Sequence, residues 1–440
     1  MKDLFFSLAD RAIAGLRGRE FLLANFSGEV SDFVRFNNAR VRQAMTIQQA
    51  HLTLTLIDGS RHATVKFTLA ADPATDNAAV DQALAELRAD LPTLPEDPYL
   101  LYSTAVHSSE LVRTGTLPQG AEAIETIIAG AQGSDLVGIL ASGPVFRGFA
   151  NSAGQRNWHA VDCFNFEWSL YHAQDKAVKS AYAGTEWNRA EAGRRIDAAR
   201  ERLAYLARPP KTMTPGICRA YLAPAAVDEL LWMLNWGGVS AKAQQTKQSP
   251  IQRLVESDTH LSDRVHLREN TTDGLAPAFD GAGFVKPAAV ELIAGGRHAG
   301  SLISPRTARE YGLDANGADD AEAMQSMELG AGGLAESDAL GALDRGVYVG
   351  NLWYLNYSDR PNGRITGMTR FGTFWVEKGR IVAPLSVMRF DDSLFRMLGE
   401  SLVDFTRERE WIVNSGTYSQ RSIETSRVPG TLLSALNFTL

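Results

Sequence analysis

The sequence predicts an α+β fold, with an N-terminal mixed α/β domain (residues 1–212) followed by a C-terminal, mainly antiparallel β domain (residues 213–440). Strand-like segments occur without the regular strand–helix alternation that a doubly wound parallel sheet requires. A double proline, Pro209-Pro210, ends a long charged helix, and Pro215-Gly216 follows. We therefore place the domain boundary near residue 212. The length of 440 residues fits two or three domains of about 150 residues each.

The composition is that of a globular protein, with 45% hydrophobic and 22% charged residues. The net charge of −7 is unfavourable for nucleic-acid binding, which depends on Lys and Arg side chains that neutralise phosphates. Two cysteines, Cys163 and Cys218, cannot form a disulfide framework, which predicts a reducing compartment. No apolar run approaches the roughly 20 residues of a bilayer span, and no cleavage-site pattern follows the N-terminus. We expect a cytoplasmic protein that binds neither nucleic acid nor a membrane.

Hydrophobic periodicity predicts the elements of the N-terminal half in order. The first predicted element is an amphipathic helix over residues 1–20, with Leu4, Leu8, Ile13 and Leu16 on one face. Residues 51–69 alternate apolar and polar around Asp58-Gly59, which is typical of a β-hairpin with one buried face. The same reasoning predicts helices over 75–91 (capped by Thr75 or Asp76), 119–132 and 188–207, and strands over 134–183.

The C-terminal half is predicted to consist mainly of strands. A strand over 216–224 leads into a helix over 225–238, and residues 274–287 and 290–303 are predicted to be strands joined by tight turns. Residues 313–340 are rich in Gly, Ala and acidic residues, which predicts a long mobile loop. Strands over 346–390, a helix over 391–405 and a final strand over 431–440 complete the prediction.

The segment 351–375, NLWYLNYSDRPNGRITGMTRFGTFW, is too aromatic for an ordinary loop and too polar for an ordinary core. Its first strand places Trp353 on one face and Tyr354 and Asn356 on the other, so both faces carry large rings. It is either a central strand buried on both sides or a strand with one side in a cleft. In the second interpretation, Arg370 stacks on aromatic rings or binds a carboxylate.

Motifs for hydrolysis are missing from the sequence. None of the eight histidines belongs to an HExxH or HExxxH motif, and GxSxG and GxxxxGK[ST] are absent. His260, Asp263 and His266 approach a cluster, but no further ligand lies nearby, which favours polar surface residues. His159 and Cys163 are predicted to share one face of a strand, with a structural rather than a nucleophilic thiol. The pair Asp391-Asp392 is predicted to cap a helix rather than to form an acid/base dyad.

Several segments of the second half resemble the TldD/PmbA family. They are FDGAGFVKP (279–287) with the hairpin that follows it, the block from 346 to 390 that begins GVYVGNLWYLNY, and the closing RVPGTLLSALNFTL (427–440). The first half resembles the family in the layout of the chain rather than in such motifs. The resemblance implies an N-terminal α/β domain, a C-terminal antiparallel β domain, and dimers that enclose a cavity.

The resemblance also implies a role. The family's catalytic member, TldD, carries HExxxH on a helix and a later cysteine, which together hold zinc, and it cleaves unfolded peptides and leader peptides. In this chain the two histidine positions fall near Trp232 and Gly237, and no cysteine follows Cys218. The chain is therefore similar to the TldE (PmbA) subunit, which lacks these ligands.

A TldE-like chain implies no catalytic residue, no metal and no cofactor of its own, with zinc in a TldD-like partner that carries HExxxH. It would shape the chamber of a heterodimeric metallopeptidase and bind an unfolded peptide or leader peptide through Trp353, Tyr354, Asn356 and Arg370. Two alternatives stay open: an independent homodimeric hydrolase that uses His260, Asp263 and His266, and a non-hydrolytic peptide-binding or maturation protein.

Overall fold

A computed structural model describes residues 1–173 and 176–439 of the protein. Its strands form two sheets, and the α+β class is confirmed. The elements of the first half are α1 (Lys2–Ala14), β1 (Phe21–Asn37), β2 (Arg40–Asp58), β3 (Arg61–Thr68), α2 (Pro73–Asp90), β4 (Ser109–Arg113), α3 (Gly120–Gly130), β5 (Asp135–Asn151), β6 (Arg156–Ala173), β7 (Lys176–Gly184) and α4 (Arg189–Leu206).

The elements of the second half begin after residue 215. They are β8 (Gly216–Leu222), α5 (Pro224–Trp232), α6 (Ala241–Gln245), α7 (Gln252–Glu256), β9 (Leu267–Glu269), β10 (Val290–Ala294), β11 (Arg297–His298), α8 (Pro305–Tyr311), β12 (Ser326–Leu329), α9 (Ala339–Leu343), β13 (Gly346–Asp359), β14 (Arg364–Glu377), β15 (Arg380–Pro384), β16 (Arg389–Ser393), α10 (Leu394–Met397), β17 (Leu402–Val413) and β18 (Thr425–Phe438). Short 3₁₀ turns cover Leu91–Thr93, Met233–Asn235 and Glu336–Asp338.

The first sheet contains β1 to β7 in the order β3-β2-β1-β5-β6-β4, with β7 also paired to β6. The predicted hairpin over 51–69 is confirmed, although β2 starts at Arg40, well before the predicted segment. Leu52, Leu54 and Leu56 are fully buried beneath α1 and α2. α2 is capped by Asp72, whose carboxylate accepts a hydrogen bond from the Thr75 amide at 2.8 Å, and not by Thr75 or Asp76.

The second sheet contains eleven strands and is mainly antiparallel, as predicted. Within it, β8, β13, β14, β16 and β18 pair in succession, and β18 pairs back to β8, so these five strands form a closed circuit. Only the pairs β12–β18 and β8–β13 are parallel among the described strands of this sheet. Both sheets contribute to one apolar cluster, in which Phe166 and Trp168 of the first half lie with Tyr348 and Phe374 of the second.

Three predictions for the second half are wrong. The supposed mobile loop over 313–340 contains β12, whose four residues are buried between β9 and β18. The predicted strand over 274–287 contributes a single bridge, Phe279 to Val285. The helix over 391–405 is limited to Leu394–Met397, because β17 begins at Leu402.

The carboxylates of Asp391 and Asp392 do not cap that short helix, because both residues belong to β16. The cap is Ser393, whose hydroxyl accepts a hydrogen bond from the Phe395 amide at 3.2 Å. The buried Asp392 carboxylate instead forms an ion pair with Arg396 and accepts a hydrogen bond from the Asn437 amide at 2.9 Å. The predicted absence of an acid/base dyad in this pair is consistent with these contacts.

The segment between β17 and β18 crosses back to the first sheet. Arg421 is 3% exposed, and its guanidinium donates to the carbonyl oxygens of Gly143 at 2.9 Å and Cys163 at 2.7 Å. It also donates to the Ser31 hydroxyl at 3.2 Å, which in turn donates to the buried carboxylate of Glu29 at 2.7 Å. The last thirty residues therefore complete the polar interior of the first sheet. The domain boundary near residue 212 stays a prediction.

Candidate functional site

A cavity of about 420 Å³ lies where the two halves meet, and we call it the main cavity because charged and aromatic side chains of both halves line it; two clefts that are more open are larger, at about 500 and 770 Å³. The first half contributes β7 and α4 to its wall, and the second half contributes β8, α5, β13, β14 and β17. Its lining includes Lys179, Asp228, Glu229, Trp232 and Phe371. The wall mixes charged groups with aromatic rings, which is the usual make-up of a ligand-binding cavity.

Helix α5 presents its polar side to the main cavity. Pro224 occupies the first turn, where its missing N–H costs nothing. Val227, Leu230 and Leu231 are buried at helical spacing. The intervening side chains Asp228 and Glu229, together with Trp232, line the cavity. The amphipathic pattern of the sequence thus fixes which residues of this helix a ligand meets.

Asp228 has an unusual environment on this helix. Its Oδ1 accepts a hydrogen bond from the Ser426 hydroxyl, at the start of β18. Burial raises the pKa of the Asp228 carboxyl to about 7, and the neighbouring Glu229 raises it further while the Ser426 hydrogen bond opposes the change. Burial therefore favours the protonated carboxyl to a much higher pH than is usual for an aspartic acid. It can donate as well as accept hydrogen bonds to a ligand.

Glu229 and Lys179 add charge to the same wall. Burial raises the pKa of Glu229, and the Lys179 ammonium opposes that shift. Lys179 forms an ion pair with Glu167 at 3.3 Å. Positive and negative groups thus lie side by side near α5.

The residues of the main cavity do not fit a hydrolytic zinc ion. Zinc sites of this kind use imidazole or thiolate ligands, together with carboxylates. Trp232, at the first implied histidine position, does line the cavity, whereas Gly237 lies outside it next to Arg360. The lining residues that the structure describes include neither histidine nor cysteine. Within residues 1–173 and 176–439, no group of three His, Cys, Asp or Glu side chains is placed to hold a metal.

The other histidine candidates also fail to assemble. His260, Asp263 and His266 are exposed and lie in an irregular segment, neither on a strand nor on a helix. The His260 ring contacts the carbonyl oxygen of Asp258 at 3.1 Å, and Nδ1 of His266 accepts from the Gly295 amide at 3.3 Å. These separate contacts fit the predicted role of polar surface residues.

His159 and Cys163 lie on the same strand, β6, and both are buried. The His159 Nε2 contacts the carbonyl oxygen of Leu275 at 2.9 Å, and burial lowers the pKa of this histidine to about 4. Burial raises the pKa of the Cys163 thiol, whose sulfur accepts a hydrogen bond from Arg421 at 3.0 Å. A neutral, buried thiol is a structural group and not a nucleophile.

The aromatic segment lies beside the main cavity. Trp353 and Tyr354 are 41% and 76% exposed, and their ring centroids are 5.0 Å apart. The Arg370 guanidinium lies 4.2 Å from the Trp353 ring centroid and 5.0 Å from that of Phe371, which lines the cavity. Three of the four predicted peptide-binding side chains thus form one row, which runs from the exposed Tyr354 and Trp353 to the half-buried Arg370 beside the cavity. We call it the aromatic row: Tyr354, Trp353, Arg370 and Phe371.

The strict face alternation predicted for this strand is wrong. The pairing of β13 with β14 shifts between Val349 and Asn351 and again between Trp353 and Asn356. Tyr354 and Phe371 adopt φ angles of 59° and 53°, a left-handed conformation that costs energy for residues other than glycine. Asn356 lies beyond the second shift, is exposed, and pairs with Thr366 of β14. Each bulge redirects the side chains that follow it.

Sequence reasoning missed most of the cavity wall. Asp228 and Glu229 occur within a predicted helix, but helical periodicity could only exclude them from the core. Arg202 on α4, together with Tyr221 and Tyr348, also lines the cavity. No local signal distinguishes Arg202 from the other arginines of its charged helix, because its position depends on how the two halves pack.

Comparisons with known proteins agree with this fold. The family model of the PmbA/TldA metallopeptidase C-terminal domain matches residues 215–439, which is more than half of the chain. The chain therefore belongs to the TldD/PmbA family and has the fold of its metallopeptidases. A comparison with curated proteins found no match.

Three solved structures share the fold over nearly the whole chain. A protein from Thermotoga maritima, described as a proposed modulator of a DNA gyrase, has a TM-score of 0.79 and 14% identity, covering 99% of this chain and all of its own. TldE from Thermococcus kodakarensis has a TM-score of 0.77 and 14% identity, with complete coverage of both chains. A proposed modulator of DNA gyrase from Bacteroides thetaiotaomicron has a TM-score of 0.75 and 15% identity, covering all of this chain and 98% of its own.

The described residues contain no helix that is long and apolar enough to cross a membrane.

Proposed function

We propose that this chain is the non-catalytic, TldE-like subunit of a cytoplasmic, heterodimeric TldD/TldE-type zinc metallopeptidase. The complex degrades or trims unfolded peptides and leader peptides, and this subunit shapes the chamber and binds the peptide. Zinc and the HExxxH motif belong to the TldD-like partner. One observation carries the proposal: Trp232, at the first histidine position that the family resemblance implies, lines the main cavity, and the described lining contains neither histidine nor cysteine.

The aromatic row supports the peptide-binding part of the proposal. Exposed rings contribute binding energy through contact with peptide side chains and lose little conformational freedom on binding. Arg370, held between Trp353 and Phe371, adds a charged group that can meet a peptide carbonyl or carboxylate. Such contacts tolerate many sequences, as trimming of unfolded peptides requires.

The test mixes the purified chain with an HExxxH-bearing TldD-type partner and supplies an unstructured peptide. We expect cleavage by the mixture, inhibition by a chelator, and no cleavage by this chain alone. Chelator-sensitive cleavage by the isolated chain would refute the proposal and support the independent homodimeric hydrolase. Peptide binding without cleavage by any mixture would support the non-hydrolytic carrier.

Trp353→Ala tests the aromatic row separately. Loss of an exposed aromatic contact is expected to weaken peptide binding by the isolated chain about tenfold. Trp236→Ala is the matched control, because Trp236 is 52% exposed but lies outside the main cavity and the row. Equal affinities of the two variants, measured by calorimetry, would exclude the row from peptide binding.

A further inference from the structure

One end of the main cavity is lined by three hydrogen-bond donors from different elements. Tyr221 of β8 and Tyr348 of β13 are register partners in the parallel pair, so their rings lie side by side with centroids 5.6 Å apart and planes at 28°. Arg202 reaches in from α4, and its guanidinium carbon lies 5.4 Å from the Tyr348 ring centroid. All three side chains line the cavity. We call this set the donor end.

The three donors of the donor end are not hydrogen-bonded to an acceptor among the described residues. Among the described residues, no oxygen lies within hydrogen-bond or ion-pair distance of the Arg202 guanidinium, and none accepts from the two phenol hydroxyls. Other arginines of α4 are paired: Arg194 and Arg195 both form ion pairs with Glu191. A recessed guanidinium with unmade hydrogen bonds is costly unless a ligand or water supplies the acceptors.

Two carboxylates near the donor end do not fill this role. Glu410 forms an ion pair with Arg195 at 3.3 Å, so its charge is already balanced. Burial raises the pKa of Glu336 and the Glu410 charge raises it further, whereas the charges of Arg194 and Arg202 oppose the shift. The Tyr348 phenol and, more weakly, the Glu410 and Glu336 charges raise the pKa of Arg202, so the guanidinium stays charged, but neither carboxylate lies within ion-pair distance of it.

The donor end favours a carboxylate as its ligand. The planar guanidinium fork matches two carboxylate oxygens, and phenol hydroxyls donate to the remaining lone pairs. The opposite end of the cavity is marked by Asp228, which contacts Ser426 of β18, whereas Tyr221 lies against Gly430 of the same strand. Four strand residues span about 13 Å, the length of an extended peptide of about four residues.

We propose that Arg202, Tyr221 and Tyr348 form a subsite for a peptide carboxylate, with the preceding peptide residues running along the cavity toward α5. The carboxylate is either the free C-terminus of the peptide or an acidic side chain. This inference rests on the proposed function, because it assigns a chemical group of the peptide to one end of the same cavity. It makes no use of the partner's zinc.

The experiment measures peptide binding to the isolated full-length chain by calorimetry at pH 7. Three probes are compared: N-acetyl-trialanine with a free carboxylate, the same peptide as its amide, and N-acetyl-Ala-Ala-Glu amide. We expect at least one carboxylate-bearing probe to bind more than tenfold tighter than the neutral amide. Preference for the first probe identifies the C-terminus as the ligand, and preference for the third identifies a side chain. Equal binding of all three would overturn the subsite.

Variants separate the subsite from general stability. Arg202→Gln is expected to abolish the preference. Tyr348→Phe is expected to reduce it about tenfold with an unchanged unfolding transition, because this side chain lines the cavity and no described residue forms a hydrogen bond with its hydroxyl. Arg200→Gln, on the same helix but directed to the carbonyl oxygen of Gly130, is the matched control and should bind as the wild type does. An unaltered preference in Arg202→Gln would overturn the subsite and leave the proposed function standing. Failure of the mixed-subunit cleavage test would refute the proposed function and leave the carboxylate subsite standing.

Discussion

Asp228→Asn is expected to gain stability over the wild type as the pH rises from 5 to 8. The folded-state pKa of Asp228 is raised from 3.8 to about 7, mainly by burial. Between these two values the folded protein holds a proton that the unfolded chain has released, so wild-type stability falls as the pH rises through the window. Asparagine keeps the shape and the acceptor for Ser426 but does not titrate.

The magnitude follows from the size of the shift. A raised pKa of this size costs about 4 kcal/mol once the carboxyl is ionised in the folded state, and about 2–3 kcal/mol of that is lost between pH 5 and pH 8. The difference between variant and wild type should therefore increase by about 2–3 kcal/mol over this range. Comparing the two proteins cancels the contributions of other titrating groups, provided that they are independent.

Urea unfolding of the isolated chain at pH 5 and pH 8 measures this difference. Asp263→Asn, at an exposed position outside the cavity, serves as the control and should follow the wild type at both pH values. Parallel pH profiles for Asp228→Asn and the wild type would refute the reasoning. A larger deficit of the variant at pH 8 would show that the ionised carboxylate is stabilised, contrary to the burial argument.

Two further changes test the packing. A Cβ at Gly430 would overlap the hydroxyl of Tyr221, so Gly430→Ala should lower the free energy of unfolding by about 1–3 kcal/mol. Gly341 has open space around it, so Gly341→Ala should leave stability unchanged. Thermal unfolding of the two variants measures the difference. Arg421→Ala removes the donor to two buried carbonyl oxygens and to the buried Ser31 hydroxyl, which should cost about 3 kcal/mol in urea unfolding. Arg427→Ala, at an exposed position, is its control, and an equal effect of both would contradict the role assigned to Arg421.

The elements that could be predicted from the sequence are those whose apolar and polar residues alternate in a pattern that shows which side is buried. Leu52, Leu54 and Leu56 alternate strictly with polar residues, and the hairpin is confirmed. The run from 326 to 329 carries no such pattern, because all four residues of β12 are buried on both faces between neighbouring strands. A four-residue strand within a Gly-rich stretch is recognised only when its partners are known.

Only part of the site could be predicted, because residue chemistry is visible in the sequence and contacts between distant residues are not. Trp353, Tyr354 and Arg370 were chosen for their chemistry, and the structure brings these three together beside the main cavity. Their role in binding peptide stays a prediction. Asn356 was chosen by counting alternate residues, and the bulge after Trp353 breaks that count. Arg202 lies more than 140 positions from Tyr348 in the chain, and periodicity within one element does not report contacts across such a separation.

The crossing of Arg421 into the first sheet also sets an order of events during synthesis. Strands β1, β5 and β6 are made early, but the guanidinium that donates to the carbonyl oxygens of Gly143 and Cys163 belongs to a residue 278 and 258 positions later in the chain. The polar interior of the amino-terminal half is therefore complete only after Arg421 has been translated and has packed against the first sheet. A fragment that stops at residue 212 would therefore leave these carbonyl oxygens without their native donor.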